Sequence, residues 1–249
     1  MLQLDYTRGE YMKRAIIIGA SSGIGMQLSQ VMAEDGLILG LTGRRLELLN
    51  KLKSEMKVET YIKYMDISNP KETMDILNEL IIEMGGVDLI IVSAGIGYIN
   101  NDLKWTLEQE TINTNISGVT AVINISMQYF LKRKTGHLAV ISSVASLRGS
   151  ADCPAYNASK SYISNYLEGI RCKVKKQKLN ITITDIKPGL VDTKMAKGDG
   201  LFWVMPLEKA TAQIYTALKN RVDEIYVTKR WRVIGFLLKR MPKFLYYKM

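Results

Sequence analysis

The chain has 249 residues, 47% hydrophobic and 23% charged, enough apolar content and length for one sizeable folded domain rather than a disordered or fibrous chain. Two cysteines, Cys153 and Cys172, cannot form a disulfide framework, and a single histidine, His137, argues against a histidine-based metal site and against Ser-His-Asp chemistry. The formal net charge of +10 is uneven: it gathers in RCKVKKQK (171–178) and in the acid-free stretch after Val227, a pattern that suits an anionic cofactor, a membrane surface, nucleic acid or simply a solvated helix face.

In chain order, the opening MLQLDYTRGEYMKR lacks the apolar core of a signal peptide, and no apolar run is long enough to span a bilayer. A cytoplasmic protein is expected, with peripheral membrane contact left open. RAIIIGA then reads as a buried strand and IGMQLSQVMAEDG as a helix closed by Gly36. LILGLT and RRLELLNKLKSEM repeat the pair, as do ETYIKYM and NPKETMDILNELIIEMG, the latter with Asn69 as a cap and Pro70 in its first turn. VDLIIVSAG is a strand, 106–130 a long helical region, HLAVISS a strand, and 155–177 a helix. NITITDIKPG, a helix over 207–219 and the strand EIYVT complete the alternation. Such alternation predicts right-handed crossovers and a single-domain, doubly wound α/β fold of Rossmann type over residues 1–228, with about seven parallel strands and a ligand crevice at their carboxyl ends. His137, at the start of a strand, is expected to be structural.

Between the first strand and helix lies GASSGIG, with Gly19, Gly23 and Gly25. Glycines there allow a tight turn and close approach to a pyrophosphate, which the helix amino terminus then stabilises. The second strand ends in LTGRR. A site for NAD usually offers an acid here to the ribose 2′-hydroxyl, but no acid follows before Glu47. Arg44 and Arg45 can instead hold a 2′-phosphate through charge-assisted, forked hydrogen bonds, so NADP(H) is expected over NAD(H). Further on, CPAYNASK places Tyr156 and Lys160 one helical turn apart. That spacing alone decides nothing, because YTALK repeats it at Tyr215 and Lys219.

Taken together, these motifs resemble the short-chain dehydrogenase/reductase family over residues 13–227. GASSGIG resembles its nucleotide turn, VSAG its Asn-Asn-Ala-Gly motif, NISG the motif of its catalytic asparagine, and KPGLVDT its Pro-Gly turn. Ser143, at the end of ISSVAS, stands thirteen residues before Tyr156, as the catalytic serine does in many members; the same offset from Tyr215 falls on Phe202. The resemblance implies Asn115, Ser143, Tyr156 and Lys160 as catalytic residues. It implies a cofactor site built from Gly19, Ser21, Ser22, Gly23, Ile24, Gly25, Arg44, Arg45, Asp66, Ile67, Ala94, Gly95, Tyr156, Lys160, Pro188, Gly189, Val191 and Thr193. Asp66 would meet the adenine, and Asn115 would anchor a water linking Lys160 to solvent. A homodimer or homotetramer is implied, formed through 106–130 and 155–177. Departures are Ile18 for a threonine, and Val92 and Ser93 for two asparagines.

The chemistry suits carbonyl reduction. A tyrosine at its ordinary pKa of about 10 is a poor base near neutral pH, and a neighbouring lysine cation is expected to lower it. Tyr156 would be general acid in reduction and base in oxidation, with Ser143 hydrogen-bonded to the substrate oxygen. TKMAKGDGLFWVM, within 193–206, reads as a substrate lid whose Phe202, Trp203 and Met205 favour an apolar carbonyl or alcohol. A 3-oxoacyl thioester reductase and a non-catalytic NADP(H) sensor are the competing readings. The tail, 229–249, is basic and amphipathic: Val233, Ile234, Leu237, Leu238, Met241, Phe244 and Leu245 are expected on one face, with Pro242 breaking the helix. It can cover the pocket, form a subunit interface or lie against a membrane; nucleic acid is not expected as a partner.

Overall fold

The computed structural model describes residues 13–193 and 203–247. The opening residues and 194–202 of the expected lid, Phe202 among them, lie outside the described residues. Seven strands form one parallel sheet in the order β3-β2-β1-β4-β5-β6-β7. They are β1 (Arg14–Ile18), β2 (Ile38–Gly43), β3 (Thr60–Tyr64), β4 (Leu89–Val92), β5 (Thr135–Ile141), β6 (Asn180–Pro188) and β7 (Glu224–Val227). The order reverses between β1 and β4, which pair directly, Ile18 beside Val92. That reversal opens a crevice at the carboxyl edge of the sheet.

Helices cover both faces. α1 (Gly23–Glu34), α2 (Leu46–Ser54) and α7 (Leu207–Lys219) lie on one side. α3 (Pro70–Glu83), α5 (Val119–Arg133) and α6 (Pro154–Lys176) lie on the other. β1 shows why its strand is apolar throughout: Ile16 and Ile18 enter one core, Ala15 and Ile17 the other. The capping role expected of Asn69 is not observed. It stands at the amino end of α3, but its side chain donates to Glu72 at 2.8 Å instead of capping the backbone.

The long helical region expected over 106–130 is broken into α4 (Trp105–Ile112), a π-helical turn (Asn113–Gly118) and α5. After β7 the chain continues as α8 (Lys229–Arg240), an extended Met241, Pro242 and the short α9 (Lys243–Tyr246), the break falling at the proline as expected. Tyr215 and Lys219 of YTALK are structural. Both donate to Asp35 at the end of α1, at 2.7 and 3.2 Å, and tie α7 to α1 far from the crevice.

His137 is fully buried in β5, with Nε2 2.8 Å from the Thr184 hydroxyl. Burial holds its pKa down to about 3. The unfolded chain binds this proton near pH 6.5, so the stability that His137 confers is complete above that pH and is lost as pH falls toward 3. Between pH 6.5 and 5 this single group is expected to cost the protein about 2 kcal/mol. His137→Gln removes that part of the acid sensitivity; urea denaturation of both proteins at pH 7 and pH 5 measures the difference, and equal losses would refute the assignment.

Candidate active site

At the switch point lies a cleft of about 1820 Å³. Its floor begins with the glycine turn after β1. Gly19 has φ +88°, and a Cβ there would lie 2.6 Å from the Ala94 backbone nitrogen, so this turn requires glycine. Ser22 precedes α1 in extended conformation and its side chain caps nothing, which leaves the N–H groups of the helix's first turn open toward the cleft. Arg45 reaches back across the turn, its guanidinium donating to the Ser21 hydroxyl at 2.8 Å and the Ser22 hydroxyl at 2.7 Å. Arg44 stands 4.0 Å from the Asp66 carboxylate, which also accepts from the Ser68 backbone and hydroxyl. This end of the cleft is thus a cationic rim with open backbone donors, a setting that fits the phosphates of a dinucleotide.

The expected catalytic side chains lie at the opposite end. Ser143 ends the loop after β5 and opens a 3-10 turn (Val144–Leu147); its hydroxyl accepts from the Ala145 backbone at 3.0 Å and faces the Pro188 carbonyl at 3.4 Å. Tyr156 is in the first turn of α6, which starts on Pro154 and is seated by Ile163, Leu167 and Val174. Two further bonds fix the register of α6 against the serine loop. Asn157 donates to the Arg148 carbonyl at 2.7 Å, and Ser161 to the Ser146 carbonyl at 2.7 Å. Tyr156 and Ser143 line the cleft together, and the Ser143 hydroxyl acts on the phenol in the direction that favours its ionised form.

The electrostatics differ from expectation. Burial pushes the Tyr156 phenol above its ordinary value, and the Ser143 hydroxyl opposes this only in part. Lys160 was expected to lower the phenol's pKa, but its Nζ instead donates to the Ile141 carbonyl at 3.0 Å and lies 5.7 Å from the ring centre. Lys160 is itself almost fully buried: desolvation holds its pKa down to about 8, while the charge of Asp185 pulls it back up. In this state the site holds a neutral phenol beside a buried ammonium, the protonation that proton donation requires.

All but two of the predicted residues line this cleft. Gly25 lies inside the turn, where a Cβ would meet the Gly19 carbonyl at 2.3 Å, so it packs α1 onto the strand. Asn115 is wholly buried in the π-helical turn. It accepts from the Ile96 backbone at 2.9 Å and donates to the Ile96 carbonyl at 2.7 Å and the Ser159 hydroxyl at 3.0 Å. Its amide therefore clamps the loop after β4 to α6 beside Lys160.

Two features escaped the sequence reading. Behind Ser143, the Ser142 hydroxyl donates to Asp185, and Lys187 bridges Asp185 at 2.5 Å and Glu224. Asp185 and Lys187 are nearly inaccessible to water. DIKPG carried the signal, since two opposite charges at alternate positions of a buried strand must meet on one face. The second feature is Trp231 of α8. It is buried on the cleft wall against Gly189, where a Cβ would lie 1.9 Å from the indole Nε1; only glycine admits the ring.

A doubly wound sheet with a glycine turn at its switch point and Ser, Tyr and Lys converging at the same edge is the layout of a dinucleotide-dependent oxidoreductase. Comparison with known proteins makes the class specific. The short chain dehydrogenase family model matches residues 13–200, and the chain belongs to that family. It is 33% identical over 188 residues to an uncharacterised oxidoreductase of Myxococcus xanthus, covering 74% of each chain. It is 30% identical over 192 residues to one of Mycobacterium tuberculosis, covering 74% of this chain and 75% of the relative. Among solved structures, an alcohol dehydrogenase from the archaeon Thermococcus sibiricus, complexed with 5-hydroxy-NADP, superposes with a TM-score of 0.77 at 24% identity, over 86% of this chain and 95% of that one. A Burkholderia phymatum short chain dehydrogenase/reductase in complex with NAD gives 0.82 at 17%, over 92% and 93%. The protein is an oxidoreductase of this family with the family's seven-stranded parallel fold.

Asp185→Asn leaves Lys187 with Glu224 alone in a buried setting, and a loss of about 3 kcal/mol is expected. Ser142→Ala keeps the ion pair and should cost about 1 kcal/mol. Equal losses in urea denaturation would show that the charge pair adds nothing beyond a neutral hydrogen bond.

Proposed function

We propose that the protein is an NADP(H)-dependent reductase that interconverts an apolar carbonyl compound and its secondary alcohol. The observation that carries this is that Ser143, Tyr156 and buried Lys160 line the same cleft as the Arg44–Arg45 rim. The open glycine turn fits a pyrophosphate and Arg45, with Ser21 and Ser22, fits a 2′-phosphate. Lys160, near Gly95, would hold the nicotinamide ribose. Bound there, the nicotinamide supplies the hydride in reduction and accepts it in oxidation.

The residues of the chain supply the rest. Ser143 orients the substrate oxygen and stabilises the charge that develops on it. Tyr156 gives that oxygen its phenolic proton. The phenolate left behind is reprotonated from solvent. Ile96, Val144, Leu190, Leu207 and Trp231 give the substrate end an apolar wall and support an apolar substrate.

Tyr156→Phe removes the proton donor but little volume. NADPH oxidation with a panel of ketones, aldehydes, quinones and acyl thioesters is expected to fall at least about a thousandfold, with NADPH affinity within about threefold of wild type. Retained turnover would reject the role. Activity confined to acyl thioesters would instead identify the substrate class as 3-oxoacyl thioesters.

Cofactor choice rests on the arginines. Arg44→Ala/Arg45→Ala is expected to lower kcat/KM for NADPH by about a hundredfold and to change that for NADH little. A wild-type enzyme more than about tenfold better with NADH would overturn the preference.

A further inference from the structure

The tail helix has more apolar surface than the fold uses. Its inner stripe is buried at Trp231 and Gly235, with Ile234 and Leu238 partly covered. The single apolar face expected from the sequence is therefore divided. Val233 and Leu237 point away from the protein, 62% and 58% exposed, together with Phe236 at 54%. Beyond Pro242, Phe244, Leu245 and Tyr247 are exposed as well. At 100° per residue, Val233, Phe236, Leu237 and Arg240 form the outer face of α8, flanked by Arg232 and Lys239 on one side and Arg230 on the other. All these cations are exposed, as is Lys243, and no acid follows Glu224 in the sequence. The cations lie among the rings: the Arg240 guanidinium is 3.7 Å from the Phe236 centroid and that of Arg230 5.9 Å from exposed Trp203.

We propose that the outer face of α8 and α9 docks on an anionic lipid surface. Phosphate headgroups complement the five cations, and the boundary between headgroups and acyl chains takes the exposed rings and aliphatic groups. A second copy of the chain would set these cations against each other. Nucleic acid would meet the charge but leave Val233, Leu237 and Leu245 in water. No helix among the described residues is long and apolar enough to cross a membrane, so α8 lies on the surface rather than through it.

The docking face is fastened to the cleft. Arg148, just after the 3-10 turn of Ser143, donates to the Leu238 and Met241 carbonyls at 3.0 and 3.1 Å and stacks 4.1 Å from the Tyr246 ring centre. Tyr246 in turn donates to the Gly149 carbonyl. A bilayer under α8 is thus held near the cleft whose wall Trp231 forms. The consequence that substrate enters from the lipid rests on the reading of this protein as a reductase of apolar carbonyl compounds; the docking itself does not.

The experiment is flotation of the full chain with vesicles of phosphatidylcholine alone and of phosphatidylcholine mixed with phosphatidylglycerol, at low and high salt. Binding to the mixed vesicles is expected to be at least about tenfold stronger than to phosphatidylcholine and to weaken with salt. Phe236→Glu/Leu237→Glu, at exposed positions, should keep the wild-type thermal unfolding profile and lose at least about tenfold in vesicle binding. Absence of vesicle binding, binding unchanged in this variant, tighter binding to duplex DNA than to vesicles, or a variant that changes only the oligomeric state would each overturn the proposal. Vesicle binding without NADPH oxidation would sink the reductase reading and leave docking standing; the reverse result would sink docking alone.

Discussion

A parallel sheet buried on both faces has nowhere to place polar chemistry except at the ends of its strands. Every strand of the seven-stranded sheet runs the same way, and both faces are filled by helices. The backbone groups released at the carboxyl edge, together with the amino ends of the following helices, therefore collect along one line. The order reversal between β1 and β4 widens that line into a cleft. The cationic rim, the Ser143 loop and the Pro-Gly turn share a wall because each follows a strand that ends there.

Charge inside such a fold needs a local balance. Lys160 is buried and donates to a neutral carbonyl, so desolvation dominates and its pKa falls to about 8. Asp185 supplies the opposing field from the next strand while bound to Ser142 and Lys187. The network behind Ser143 thus bears on Lys160 through the charge of Asp185. The phenol's departure from expectation has the same origin. Desolvation of Tyr156 outweighs the effect of the Ser143 hydroxyl, and a lysine turned toward Ile141 does not offset it.

Much of this was legible in the sequence, and the residues show why. RAIIIGA announced a strand buried on both sides, and the glycines after it announced a turn pressed against its neighbours; Gly19 against Ala94 is the result. Tyr156 was separable from Tyr215 by what stood thirteen residues earlier. The π-helical turn that seats Asn115 left no periodic signature, because one added residue in a helix does not disturb an apolar pattern read over several turns. Asp185 and Lys187 looked like ordinary charges until strand pairing put them beside Ser142 and Glu224. A contact between elements distant in sequence is invisible to spacing alone, and Trp231 against Gly189 is of that kind.

The tail joins these themes. Gly189 belongs to the turn expected beside the nicotinamide, and its missing side chain is the space that Trp231 fills. The indole thereby completes a wall, and α8 is pinned at its start by that contact and at its end by Arg148. A helix pinned at both ends cannot rotate to hide Val233, Phe236 and Leu237 without withdrawing Trp231 from the cleft. Closing the cleft and exposing an apolar face are therefore one geometric choice. The sequence relieves the cost of that exposure with cations at the margins of the face, which are the groups an anionic surface attracts.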